Sequence, residues 1–227
     1  GFGSAIITGF LLTAVQTWTG VIGLRGLPLA ILFATWLSGR LLLAFDTGLP
    51  PLLIAVVDCS FLFLSALAMA YPVIKVRQWK NLMFVPMLAL MTLLNAESHY
   101  GALNKDPALA MRALHATILL VTLIIAVVGG RVIPFFTANA TSFERKPNSL
   151  ILDAISLLSI AVLLATAALG FSTVPGPVLT TVTGIATVSN AWRFLRWGIQ
   201  ASWPSPLLWS LHLAFLFIPL GMLALLL

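Results

Sequence analysis

Charge is what this sequence has least of. Of its 227 residues, 12 are lysine or arginine and 6 are aspartate or glutamate, together 8%, whereas a soluble domain carries roughly a quarter. That shortage, with 60% hydrophobic residues and a mean hydropathy of +1.09, leaves too little polar surface to face water. A soluble enzyme and a solvated nucleic-acid binder are both excluded by it. Cysteine is nearly absent. The single Cys59 forbids an internal disulfide, and its apolar surroundings point to a small buried residue rather than a thiolate metal ligand. Strict apolar and polar alternation is missing too, as in "LLVTLIIAVV", which argues against a transmembrane barrel.

What is present is a succession of apolar runs near the roughly 20 residues that a bilayer requires. They predict an all-α, polytopic transmembrane helix bundle within one domain over residues 1–227. About eight spans are expected, at 1–16, 27–45, 50–72, 82–102, 108–130, 150–170, 177–197 and 206–227. The connections carry turn punctuation such as "DTGLPP", "LNKDP" and "STVPGP".

The few cations then orient the bundle. Arg25, Lys75, Arg77, Lys80, Arg131, Arg145, Lys146, Arg193 and Arg196 fall at the ends of odd-numbered spans, against Lys105 and Arg112 on the other side. The positive-inside rule makes the first group cytoplasmic and places residue 1 on the outer face. Trp18, Trp79, Trp192, Trp197 and Trp203 are expected in the inner aromatic belt. The net charge of +6 is thus topological, with membrane lipid as the expected surroundings and no nucleic-acid partner. Asn139 opens an "NAT" glycosylation triplet, which the cytoplasmic assignment empties of meaning.

Polar residues inside such spans are costly and face partners or cavities. Arg40, Asp58, Asn95, Glu97, His99 and His115 lie in the outer halves of consecutive helices, whereas His212 lies about two turns in from the inner face. A neutral imidazole at this depth can ligate haem iron or copper, with a carboxylate or amide orienting its other nitrogen. Asn95 and His99, four apart, share one helix face. The same groups suit a proton path, or plain helix-to-helix hydrogen bonds, and Arg40 with Asp58 reads first as a structural charge pair. Gly1, Ser4 and Gly9 are expected at a close helix contact. The stretch "AVVGGRVIPFFTANAT" reads as the cytoplasmic exit of the fifth span, with Arg131 at the boundary and Pro134 breaking the helix.

Four stretches, "GFGSAIITGFLLTAVQTWTG", "LPLAILFATWLSGRLLL", "VVGGRVIPFFTANA" and "PLLWSLHLAFLFIPLG", resemble in order the signatures of the NnrS family, bacterial polytopic membrane proteins. The resemblance implies haem and copper as cofactors and a role in nitric oxide metabolism and nitrosative stress, with nitric oxide or a nitrosylated species as partner. It carries over to Trp18, Gly20, Gly39, Arg40, Asn95, His99, the run from Gly129 to Thr137, Trp209 and His212. Members have about twelve spans and a histidine signature just upstream of the Gly-Phe that opens this sequence, so the chain is expected to be a partial one.

Two departures stand out. Thr17 replaces an asparagine, and Glu97 and Ser98 replace apolar residues between Asn95 and His99, where Glu97 would be an added acceptor or would point to the interface. His115 has no counterpart in the pattern, so its role rests on depth alone. The expected cofactor-binding residues are His99, His212, Arg131 and Asn95, with His99, His115 and His212 as metal ligands. Arg131 would pair with a haem propionate or another anion near His212. The competing readings are a secondary transporter or metal carrier using intramembrane His, Asp and Arg, and an assembly factor.

Overall fold

The computed structural model describes residues 2–147 and 149–226, and most of them are helical. Eight long helices follow the apolar runs: α1 (Phe2–Thr19), α2 (Leu27–Ala44), α3 (Pro51–Lys75), then, after the four-residue α4 (Trp79–Leu82), α5 (Phe84–Leu103), α6 (Pro107–Ala140), α7 (Leu150–Leu169), α8 (Gly176–Arg196) and α9 (Pro206–Ala224). No strand occurs among the described residues. Six of these helical segments are long and apolar enough to cross a membrane: α2, α3, Trp79–Leu103, α6, α7 and α9. The chain is a multi-pass membrane protein. Leu150 and Leu207 are 82% and 80% exposed, as side chains turned toward lipid would be.

Proline starts several helices because a first-turn N–H has no intrahelical partner to lose. Pro51, Pro107 and Pro206 each open one. Asp106 Oδ1 accepts from Leu109 N at 3.0 Å, and Ser149 Oγ from Leu152 N at 3.3 Å, which caps the starts of α6 and α7. Gly170, at φ 101°, ends α7 in a backbone conformation that other residues rarely adopt.

The chain forms two compact units, residues 1–117 and 118–227. In the first, α3 is central and packs against α1, α2 and α5. Leu11, Val15, Met69, Val73, Phe84 and Leu88 fill its core, and Trp18 stacks on Phe84 with ring centroids 5.5 Å apart. In the second, α8 is central between α7 and α9, around Leu120, Ile160, Leu163, Ala186 and Phe215.

Three expectations about local structure change. The helix does not break at Pro134, because α6 continues for 34 residues to Ala140. At 1.5 Å per residue that is about 51 Å, well beyond the roughly 30 Å hydrocarbon core. Arg131 lies about 36 Å along it, so the helix simply continues past the boundary. Proline is tolerated within membrane helices because only one backbone bond is lost and neighbouring groups can satisfy it.

The close-packing glycines also differ. A β-carbon on Gly9 would meet nothing within 4 Å, and residue 1 lies outside the described residues. Tight approaches between helices occur instead at Gly39 against Asp58, Gly101 against the Ala110 backbone, Gly129 against Phe215, and Gly130 against Arg193. Finally, Trp197 is buried and meets Phe215 edge-on at 4.4 Å. It belongs to the core, whereas Trp79, Trp192 and Trp203 remain exposed.

Candidate functional site

In the first unit, three of the polar residues picked out by depth converge on the carboxylate of a fourth. Asp58, buried on α3, takes the guanidinium of Arg40 from α2 on Oδ1. Its Oδ2 accepts from Asn95 Nδ2 at 2.9 Å and faces His99 Nε2 at 3.0 Å, both from α5. Asn95 Nδ2 also lies 3.4 Å from Cys59 Sγ. Gly39 makes the convergence possible, since a β-carbon there would stand 3.1 Å from the Asp58 Cα. The glycine beside Arg40 therefore sets how closely α2 and α3 approach at the ion pair.

Hydrogen-bond capacity decides the imidazole's state. Against an ionised carboxylate, Nε2 must carry the proton and donate it. Nδ1 then holds the lone pair in the neutral ring, and among the described residues it has no hydrogen-bond partner. Asn95 does not orient the ring directly, as the i, i+4 spacing suggested. Asp58 does so, with Asn95 as a parallel donor to the same oxygen. Glu97 is likewise not the carboxylate against His99. It lines, with His99, Cys59, Ala55, Ala96 and Tyr100, a groove of about 420 Å³ between α3 and α5.

The other expected ligands stand elsewhere. His115 lies on an exposed face of α6. His212, in the second unit, is fully buried, with Nδ1 3.0 Å from the Leu208 carbonyl and Nε2 3.3 Å from that of Trp197. A metal could reach either nitrogen only by displacing a carbonyl. Arg131 is exposed on α6.

Reading the chain for loops and depth alone also missed a second buried network. Arg193, assigned above to the membrane edge, is 3% exposed. It donates through Nε to Asp153 Oδ1 at 2.8 Å, through Nη1 to Ser156 Oγ at 3.2 Å and through Nη2 to the Ala126 carbonyl at 3.2 Å. Ser156 in turn donates to Asn190 Oδ1 at 2.8 Å. The signal was in the spacing: Asp153 with Ser156, and Asn190 with Arg193, are each three apart and so share a helix face.

Whether these residues fit haem or copper turns on ligand number. Among the described residues no group of three or more His, Cys, Asp or Glu is placed to hold a metal ion. A porphyrin supplies four nitrogens of its own and asks the protein for only one or two axial ligands. His99, with Nε2 on a carboxylate and Nδ1 unengaged, has the arrangement of such a ligand. The residues fit haem through one nitrogen, and among the described residues no set of three such ligands assembles for copper.

A family model described as "NnrS protein" matches residues 1–227. No curated protein and no solved structure matches the chain.

Proposed function

The chain belongs to the NnrS family, and on that premise we propose that it is a haem- and copper-bearing protein of the bacterial inner membrane, acting in nitric oxide metabolism and protection against nitrosative stress. The observation that supports this reading best is the hydrogen bond of His99 Nε2 to Asp58. It fixes the tautomer that leaves Nδ1 as a ligand.

Haem iron, when bound, supplies a centre for nitric oxide. The protein's own residues do the rest. Asp58 holds the ring and makes it a stronger donor, as carboxylates behind ligating histidines do. Arg40 balances the Asp58 charge, so that a carboxylate at membrane depth is not left unpaired. The apolar walls of the groove exclude water while admitting an uncharged diatomic, which partitions into lipid. Support for copper is the family resemblance alone. His115, His212 and Arg131 remain candidates as ligands or anion partners, with less geometric support than His99.

A second reading, a secondary transporter or metal carrier, has one observation in its favour: each unit contains an arginine–aspartate pair with one partner buried, Arg40 with Asp58 and Arg193 with Asp153. Oxidised and reduced absorption spectra of the purified protein, with metal analysis, separate the two. A Soret band that shifts with nitric oxide is expected. Absence of haem and copper, with substrate uptake into proteoliposomes, would move the assignment to transport.

A further inference from the structure

A polar atom buried in a membrane bundle is costly when nothing bonds to it. Most helical hydroxyls here obey this by donating to the carbonyl one turn back, as at Thr13, Thr35, Thr92 and Thr137, Thr8 on α1 being an exception. Two side chains of α2 do not: Trp36 Nε1 and Arg40 Nε are buried N–H groups with no hydrogen-bond partner. Among the described residues the second unit has no buried side-chain nitrogen or oxygen in that condition. Unsatisfied buried donors in a native fold call for an explanation.

Trp36 and Arg40 are four residues apart, so both lie on one face of α2. Arg40 cannot satisfy Nε by closing onto Asp58. Its Nη2 already holds Oδ1, and Oδ2 is occupied by Asn95 and His99. Nor can α2 rotate freely, because Gly39 lies against the Asp58 backbone. The backbone of α2 is therefore held beside Asp58 while the two side chains can turn to meet a ligand, and neither indole nor guanidinium can act as an acceptor. Their complement is an acceptor with two oxygens. The guanidinium already shares its charge with Asp58, which favours a singly charged carboxylate over a doubly charged phosphate. Arg40 also stands only about 6 Å from the end of α2, the depth at which an amphiphile carries its head group.

We propose that Trp36 Nε1 and Arg40 Nε bind the carboxylate of an amphiphilic ligand lodged in the membrane, with Arg40 Nη2 remaining on Asp58. The inference is independent of axial ligation by His99. The carboxylate has two sources, a porphyrin propionate or a fatty acid, and methyl esters of each distinguish recognition of the carboxylate from recognition of the apolar body.

The purified protein in neutral detergent is titrated with oleate and methyl oleate, and with protoporphyrin IX and its dimethyl ester, binding being read by equilibrium dialysis. For at least one pair the acid is expected to bind about tenfold tighter than the ester, the value of a hydrogen bond to a charged group. Trp36→Phe and Arg40→Lys are each expected to abolish that preference. Leu37→Ala, on an exposed position of the same helix, is expected to retain it. Should Arg40→Lys fail to fold, Trp36→Phe decides alone. Preference for oleate only identifies a lipid-acid site and leaves the haem reading to its own test. Equal binding of acid and ester in both pairs, or a preference that survives Trp36→Phe, overturns the proposal.

Discussion

Arg193 on α8 reaches across Gly130 on α6 to bond the Ala126 carbonyl, and a β-carbon at position 130 would strike its guanidinium. The double glycine is thus a groove for an arginine. Gly130→Ala forces the guanidinium out of its place between Asp153, Ser156 and the carbonyl, and a loss of about 1–3 kcal/mol is expected. Denaturant unfolding in detergent measures it. Removing the side chain altogether, as in Arg193→Ala, should cost about 1–3 kcal/mol, because the Ala126 carbonyl and Ser156 stay buried without it, whereas Asp153 is a third exposed.

Gly39→Ala is the corresponding change in the first unit. Its β-carbon would stand 3.0 Å from Asp58 Oδ1 and 3.1 Å from the Asp58 Cα, and a backbone atom cannot move aside as a flexible side chain can. A destabilisation of about 1–3 kcal/mol is expected in the same unfolding measurement, together with weakened binding of any ligand held by His99. A Gly39→Ala protein as stable as the wild type would show that α2 and α3 are not held together at Asp58.

These two glycines mark what the sequence could and could not convey. The helix starts were legible because proline at a first turn has a local cause, and the pairing of Arg40 with Asp58 was legible because both sit at the same depth of neighbouring spans. Pro134 was misjudged, since the rule that proline ends a helix assumes water-exposed alternatives for the backbone, which a membrane denies. Arg193 reads as a boundary residue because it stands at the end of a span, and only its spacing from Asn190 hints at a buried face. That Asp58, rather than Asn95 or Glu97, orients His99 depends on how α3 meets α5, which no single-helix pattern contains.

Cys59 offers a probe of the groove, being the only cysteine in the chain and half-buried there beside Asn95. It lies about 12 Å along α3 from its start. An uncharged maleimide that dissolves in lipid should label it in intact membranes, and a sulfonated maleimide should not. Equal labelling by both reagents would mean that the groove opens to water.

His115 and His99 are expected to separate cleanly on substitution. The His115 side chain is exposed on α6, whereas His99 stands against Asp58. His115→Ala should leave haem content, measured by pyridine haemochrome, within error of the wild type. A loss of haem as large as that for His99→Ala would make His115 part of the ligand set.

The most direct test of the account is the Soret absorption of the purified protein carrying His99→Ala, Asp58→Asn or His212→Ala. Ligation through His99 Nδ1 predicts that the band disappears with His99→Ala, shifts and weakens with Asp58→Asn as the ring loses its anchoring carboxylate, and persists with His212→Ala. An unchanged band in His99→Ala, with the protein folded and inserted, would contradict it.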